Sequence, residues 1–115
     1  MNWKNLSDNA GLEELKKRSF QSSILIFKHS TRCSISKMAL DRLERSWKED
    51  EMLNVVPYFL DLLVYRPVSN QIAEDFGVEH QSPQLLFIKD GKCVYYASHG
   101  DIDYKDVVNK HLLVV

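Results

Sequence analysis

The sequence predicts an α/β fold: a mixed central sheet of four to five strands, with helices on both faces. Three patterns support this prediction. Residues 24–27 form a continuous apolar run, which is typical of a central parallel strand covered on both faces. From Ser34 the apolar residues recur with the period of a helix. Two apolar segments flank Asp90 and Gly91, a pair that favours a two-residue hairpin turn.

The first half of the chain is expected to form two helices and one or two strands. Residues 11–20 read as a short amphipathic helix, and three polar residues just before it are candidate N-caps: Ser7, Asp8 and Asn9. The helix that follows Ser34 is expected to bury one apolar face, formed by Ile35, Met38, Ala39, Leu43 and Trp47. Trp3 and Leu6 are consistent with a further short strand at the start.

The second half supplies a strand, a helix, the hairpin and a last helix. Pro57 within the strand at 54–63 favours an edge position or a bulge. The helix at 68–77 has Ser69 as a candidate cap and Gly77 as its stop. The closing helix at 101–115 carries three apolar residues: Ile102, Val107 and Leu112. With a right-handed crossover at 24–62, this order of elements is that of a thioredoxin-like fold ending in a β-hairpin plus helix.

Length and composition limit the classes of function. The 115 residues fit a single domain, 1–115. A net charge of −1, from 15 basic and 16 acidic residues, does not indicate a basic patch that binds nucleic acid. The start of the chain lacks the apolar region of a secretory signal, and its apolar runs are far shorter than the ~20 residues that cross a bilayer. We therefore expect a cytoplasmic protein, whose two cysteines are free or catalytic rather than bridged.

Cys33 lies between the first long strand and the helix that follows it. Free N–H groups and the positive end of the helix dipole favour the thiolate there. Thr31, Arg32 and Ser34 keep the approach polar. These features predict a nucleophile for thiol–disulfide exchange, in which Arg32 and Ser34 contact the substrate. The alternative is that Cys33 is a small buried residue at a turn.

Ser36 occupies the fourth position of the motif Cys33-Ser34-Ile35-Ser36, where a dithiol enzyme carries its second cysteine. A hydroxyl cannot form a disulfide, but it can donate a hydrogen bond to a thiolate. The expected chemistry is monothiol: Cys33 becomes a mixed disulfide, and an outside thiol releases it. Cys33 and Ser36 are therefore the predicted catalytic residues.

The segment "HQSPQ", residues 80–84, is the second element of the predicted site. In a thioredoxin-like fold, Pro83 is expected to be cis and to lie beside Cys33, while the backbone of Ser82 pairs with an extended substrate. An ordinary trans proline at the start of an edge strand is the alternative. Cys93 is expected opposite Ile88, too far from Cys33 for a disulfide, and so to be a strand residue.

Several other polar residues have weaker signals. His29 either tunes the acidity of the Cys33 thiol or has a purely structural role at the strand end. His80 either contacts the carboxylates of a bound thiol or is a solvated loop residue. His99 and His111 are expected on the surface. Asp61 and Arg66 form an ion pair or a cap, or recognise substrate charge. No spacing of cysteines and histidines indicates a zinc site, and no tightly bound cofactor is expected.

Two stretches, "ILIFKHSTRCSISKMAL" and "PYFLDLLVYRPVSNQIAEDFGVEHQSPQLLFIKDGKCVYYASHGDI", resemble the YtxJ-type monothiol bacilliredoxins of the thioredoxin superfamily. The resemblance runs from Trp3 to about Ile102. It implies removal of bacillithiol, the co-substrate, from S-bacillithiolated proteins, with Cys33 as the attacking thiol and Pro83 as the cis-proline. The implied partners are S-thiolated proteins and a small-thiol reducing system. Ser34 departs from the pattern, since the family often has proline there.

Two alternatives stay open at this point. One is a thioredoxin-fold binding or adaptor module with a non-catalytic cysteine. The other is a glutaredoxin-like protein that uses another low-molecular-weight thiol.

Overall fold

The structure is a computed structural model that describes residues 1–114. These residues form five strands: β1 Lys4–Asn5, β2 Ser23–His29, β3 Val55–Asp61, β4 Gln84–Lys89 and β5 Lys92–Ser98. They also form four α-helices: α1 Asn9–Arg18, α2 Ser34–Ser46, α3 Arg66–Phe76 and α4 Tyr104–Val114. Val115, the last residue of the predicted closing helix and domain, lies outside the described residues. Among residues 1–114, none of the helices combines the length and apolar character that crossing a bilayer requires.

The five strands form one mixed sheet in the order β1-β3-β2-β4-β5. β1, β3 and β2 are parallel, whereas β4 pairs antiparallel with both β2 and β5. All seven residues of β2 are buried, as the apolar run predicted. The mixed α/β architecture predicted from the order of elements is therefore confirmed, including the short first strand.

Helices cover both faces of the sheet. One core packs α1 and α3 against the even-numbered residues of β2, and its members include Leu12, Leu15, Ile24, Ile26, Val68 and Ile72. The other core packs α2 and α4 against the odd-numbered residues, and includes Leu25, Phe27, Ala39, Leu43 and Val107. Because neighbouring side chains of a strand point to opposite faces, β2 contributes to both cores.

The face of α2 that is buried differs from the predicted one. Ala39 and Leu43 are buried as expected, but Ile35 and Met38 are 55% and 64% exposed. Ser36 is fully buried instead. The inward row of the helix therefore begins at a polar residue, because the hydroxyl of Ser36 finds hydrogen-bond partners at the end of β2.

The ends of α1 and α3 show which predicted caps are used. Asp8 caps α1, since its side chain accepts a hydrogen bond from the Gly11 N–H. The prediction that Ser69 caps α3 is wrong: the helix begins at Arg66, and Ser69 is buried inside it. Gly77 ends α3 in the left-handed conformation, with φ 65°, as predicted.

The hairpin turn is confirmed. Asp90 and Gly91 both have positive φ, 54° and 76°, which is the requirement of a type I′ turn. Ser19 holds this turn, because its carbonyl accepts from the Asp90 N–H and its hydroxyl from the Gly91 N–H, each at 2.8 Å. Pro57 lies in β3 just before the part that β1 covers, so its missing N–H removes no bond to β1.

The closing helix α4 buries a different row from the predicted one. Val107 is buried as expected, whereas Leu112 is exposed. His111, expected on the surface, is buried, and its Nε2 lies 3.1 Å from the carbonyl oxygen of Leu53. The inward row of α4 is Tyr104, Val107 and His111, with spacings of three and four. His99 is exposed, as predicted.

We expect Gly77→Ala to lower the free energy of unfolding by about 1 kcal/mol, because a Cβ is strained at positive φ. No atom lies within 4 Å of the position of that Cβ, so the loss reports backbone conformation rather than crowding. Gly100→Ala is the matched control, since its Cβ also meets nothing and its φ lies outside the left-handed region. Urea denaturation measures both, and equal losses would contradict the explanation.

Candidate functional site

Three segments meet at one edge of the sheet. His29 and Asp61, the last residues of β2 and β3, are register partners. The His29 carbonyl accepts a hydrogen bond from the Leu62 N–H at 3.0 Å. β4 runs in the opposite direction and begins at the same edge, where Gln84 pairs with Lys28. The loop to α2, the start of α3 and the segment before β4 are therefore neighbours, as at the site-bearing edge of open α/β sheets.

Cys33 is the N-cap residue of α2, in an extended backbone conformation. Its N–H donates to the carbonyl of Ser30, and its own carbonyl accepts from the Lys37 N–H, both at 3.1 Å. The cysteine is free and partly exposed, and its side chain makes no capping hydrogen bond. The predicted neighbours Arg32 and Ser34 are both exposed. The thiol therefore lies at the positive end of a 13-residue helix and is accessible from solvent.

Ser36 contacts the loop that carries Cys33 rather than the sulfur. Its Oγ accepts from the Ser30 N–H at 3.1 Å and lies 2.7 Å from Nδ1 of His29. These are the partners of the hydroxyl, in place of the hydrogen bond to Cys33 that the sequence suggested. Because Ser30 in turn accepts from the Cys33 N–H, Ser36 positions the turn before the thiol.

His29 is buried on the α2 face of the sheet. Its ring packs against the rings of Phe27 and Phe59, with centroids 6.2 and 5.3 Å away. Burial lowers the pKa of His29, although the surrounding carboxylates raise it. A neutral imidazole can accept a hydrogen bond at Nδ1 from the Ser36 hydroxyl, while the Ser36 oxygen accepts one from the Ser30 N–H. His29 is thus a structural partner of Ser36, one of the two roles considered from the sequence.

The Ser82–Pro83 peptide bond is cis. Pro83 is buried directly before β4, and its carbonyl accepts from the His99 N–H at 3.0 Å. Ser82 Oγ is buried without a hydrogen-bond partner among residues 1–114. The register therefore brings this segment to the same edge as Cys33.

Lys28 is a residue at this edge that the sequence analysis missed. It is fully buried, and its Nζ donates to the carbonyl of Ser69 at 3.1 Å. Burial and the neighbouring Arg66 lower the pKa of Lys28 to about 8. Within residues 1–114, no carboxylate lies at ion-pair distance from it. The sequence signal for the burial of Lys28 was its position in "ILIFKHS", where it shares a strand face with the apolar residues Ile24 and Ile26.

His80 lies between Lys28 and Arg66. Its Nδ1 is 3.4 Å from Lys28 Nζ and 3.2 Å from Ser69 Oγ, and its Nε2 is 3.4 Å from the Arg66 guanidinium. Burial lowers the pKa of His80, and the two cations lower it further. Asp61 forms no ion pair with Arg66 among the described residues, and its Oδ1 accepts a hydrogen bond from the Leu63 N–H at 3.2 Å.

Cys93 lies at the other end of the sheet. It pairs with Ile88, which in turn pairs with Ile24 near the start of β2. The five residues from there to His29 span ~16 Å at strand rise. Its Sγ lies 3.3 Å from the Tyr95 carbonyl, and burial raises the pKa of the thiol. The structure confirms that Cys93 is a strand residue opposite Ile88, remote from Cys33.

We expect Ser36→Ala to lower the free energy of unfolding by about 1–3 kcal/mol, because the Ser30 N–H and His29 Nδ1 both lose a buried partner. Ser34→Ala, at an exposed position two residues earlier, should change it by less than about 0.5 kcal/mol. Urea denaturation at pH 7 measures both. Similar small losses would show that the Ser36 hydroxyl is not needed to hold the loop.

A second prediction concerns Lys28, which loses its proton near pH 8 in the folded protein and near 10.5 in the unfolded chain. Between these values the unfolded chain binds more protons, so stability should rise with pH. Across this pH window the free energy of unfolding of wild type should rise by about 3 kcal/mol more than that of Lys28→Met. Urea denaturation at several pH values measures the difference, and parallel profiles for the two proteins would contradict it.

Comparisons with known proteins show the family and the fold of this chain. The sequence model of the monothiol bacilliredoxin BrxC family matches residues 4–107. A solved structure provisionally described as an oxidoreductase with a thioredoxin fold is similar, with a TM-score of 0.79 and 28% identity over 92% of this chain and 90% of that one.

Two thioredoxins share the fold at lower identity. The thioredoxin of Malassezia sympodialis has a TM-score of 0.75 and 14% identity, over 96% of this chain and 90% of its own. That of Fasciola hepatica has a TM-score of 0.73 and 19% identity, over 97% and 99%. Since the family model covers most of the sequence and the fold is that of thioredoxin, this chain belongs to the monothiol bacilliredoxin family.

Proposed function

We propose that this protein removes bacillithiol from S-bacillithiolated proteins by monothiol exchange at Cys33. The observation that carries the proposal is the partly exposed, free Cys33 at the N-terminus of α2, with Ser36 where a dithiol enzyme has its second cysteine. Membership of the monothiol bacilliredoxin family supports the same chemistry.

The reaction begins with attack of the Cys33 thiolate on the bacillithiol sulfur of the mixed disulfide. A new S–S bond forms as the old one breaks, and the electron pair leaves with the protein thiolate, which takes a proton from water. Cys33 then carries bacillithiol. The thiolate of a second small thiol attacks that disulfide, which frees Cys33 and leaves the two small thiols joined to each other.

Each proposed site residue has a physical part in this exchange. The end of the α2 dipole stabilises the thiolate of Cys33. Arg32 and Ser34, exposed on either side of it, contact the thiolated protein. The backbone of Ser82 and the ring of Pro83 hold an extended segment of that protein, as an added strand. Ser36 contacts the turn rather than the sulfur, and it holds the turn that positions Cys33.

The proposal includes partners and a place of action. S-thiolated proteins and a small-thiol reducing system are the partners, and bacillithiol is a co-substrate rather than a bound cofactor. The reaction takes place in the cytoplasm, where small thiols keep cysteines reduced. Two other functions are compatible with the fold: exchange with a different small thiol, and an adaptor role in which Cys33 does not react.

The experiment follows transfer of a small thiol from a mixed-disulfide protein to Cys33 by intact-mass measurement. We expect wild type to gain the mass of one bacillithiol, and to gain it faster than the mass of glutathione from a matched donor. Cys33→Ser should gain neither, because its hydroxyl cannot form a disulfide. Cys93→Ser should behave like wild type, because Cys93 lies at the far end of the sheet.

The other functions give different results. Faster transfer of glutathione would identify a glutaredoxin-like enzyme, and no transfer from either donor would support the adaptor role. Loss of transfer in Cys93→Ser would show that the second thiol takes part.

A further inference from the structure

Three basic side chains converge at the α3 side of the edge that carries Cys33. Lys28 comes from the end of β2, Arg66 from the start of α3, and His80 from the segment before Pro83. His80 joins them, with one ring nitrogen 3.4 Å from Lys28 Nζ and the other 3.4 Å from the Arg66 guanidinium. Among residues 1–114, neither Lys28 nor Arg66 forms an ion pair with a carboxylate.

Among residues 1–114 the hydrogen bonding of this cluster is incomplete. A neutral imidazole has a single acceptor nitrogen, yet a cationic donor faces each nitrogen of His80. Only one of these donors can be satisfied by the ring, and the positive charges of Lys28 and Arg66 disfavour one another. A carboxylate placed against Arg66 and His80 would accept from both and would offset the buried charge of Lys28 behind them.

Unpaired polar atoms lie next to the cluster in the sheet. Gln84 is the register partner of Lys28 and is almost fully buried, yet its Oε1 has no hydrogen-bond partner among the described residues. The buried hydroxyl of Ser82, two residues earlier, has none either. A native protein leaves few such groups unpaired. The Ser82 hydroxyl can donate to a carboxylate, whereas the Gln84 oxygen only accepts and needs a donor, so together these atoms indicate a polar ligand at this edge but not its charge.

We propose that Arg66 and His80, with the buried Lys28 behind them, bind a carboxylate of the small thiol that Cys33 carries as a mixed disulfide. This inference rests on the function proposed above. Arg66 is exposed and His80 partly exposed, so both can be reached from solvent, whereas Lys28 contributes only its charge. The ligand is thus a thiol with a carboxylate at some distance from its sulfur. A thiol the length of two or three extended residues places its carboxylate about 7–10 Å from its sulfur.

The experiment uses four probe thiols, each joined by a disulfide to the same donor protein. 6-Mercaptohexanoate carries its carboxylate at that distance from the sulfur, 6-mercaptohexanol and 6-aminohexanethiol are its neutral and cationic counterparts, and 3-mercaptopropionate has a carboxylate that is too close to the sulfur to reach. Intact mass measures the rate of transfer to Cys33 at low salt. We expect wild type to take 6-mercaptohexanoate about tenfold or more faster than neutral 6-mercaptohexanol, the size of effect that a charged hydrogen bond provides.

The variant Arg66→Gln/His80→Gln should bring the ratio of carboxylate to neutral rates close to one. Lys105→Gln is the matched control: it removes the same single positive charge, but from an exposed position on α4, on the other face of the sheet. It should keep the wild-type ratio. Added salt should reduce the ratio in wild type, because part of the attraction is screened.

A second measurement does not depend on the rate of exchange. Cys33 is loaded chemically with 6-mercaptohexanoate or with 6-mercaptohexanol, and the imidazole of His80 is titrated by NMR. A bound carboxylate stabilises the imidazolium, so the pKa of His80 should be higher with 6-mercaptohexanoate than with 6-mercaptohexanol. Identical titrations, or equal transfer of all four probes in wild type, would overturn the carboxylate site but leave exchange at Cys33 intact. Failure of Cys33 to accept any probe would overturn the proposed function, and the carboxylate site with it.

Discussion

Burial of β2 on both faces is the constraint on which the rest of the structure depends. A strand with no solvent-exposed face needs a neighbour on each side and a helix layer above and below, which β3, β4 and two pairs of helices provide. Its last two residues, Lys28 and His29, are polar and still buried, so each must find a partner. Lys28 donates a hydrogen bond to the carbonyl of Ser69 in α3, and the ring of His29 is hydrogen-bonded to the hydroxyl of Ser36 in α2. These two contacts connect the helices on opposite faces to the strand end where the candidate site lies.

The contact on the α2 face gives Ser36 a structural role. Ser36 bonds to His29 and to the N–H of Ser30, and Ser30 bonds to the N–H of Cys33. The hydroxyl therefore acts on the thiol through the backbone of the turn. A cysteine at this position would be a weaker hydrogen-bond partner for a histidine and a backbone amide. The serine that makes the motif monothiol is thus also the residue that completes the buried network beneath it.

The network on the α3 face, unlike the one on the α2 face, is positively charged. The network around Ser36 is neutral when His29 is neutral, whereas Lys28, His80 and Arg66 bring positive charge together without a carboxylate at ion-pair distance among the described residues. The two networks are connected to adjacent residues of one strand. The α2 face therefore positions the sulfur, and under the proposals above the α3 face recognises the charge of what is attached to it.

The sequence by itself determined the features that depend on local pattern. The buried strand, the order of helices and strands, the turn at Asp90 and Gly91, and Cys33 at the start of a helix follow from periodicity and conformational preference. They place the nucleophile but not its surroundings. The family resemblance was also readable from the residues around Cys33 and Pro83.

Only the tertiary structure decided which side of each helix is buried and which polar groups meet. Ile35, Met38 and Leu112 are exposed, while Ser36 and His111 are buried, because these polar groups find partners in other elements. Periodicity shows that a helix has two faces, but it cannot foresee a hydrogen bond to a residue distant in sequence. For the same reason Lys28 was missed: a buried amine is stable only where His80 and the carbonyl of Ser69 surround it, and these come from segments about 40 to 50 residues away.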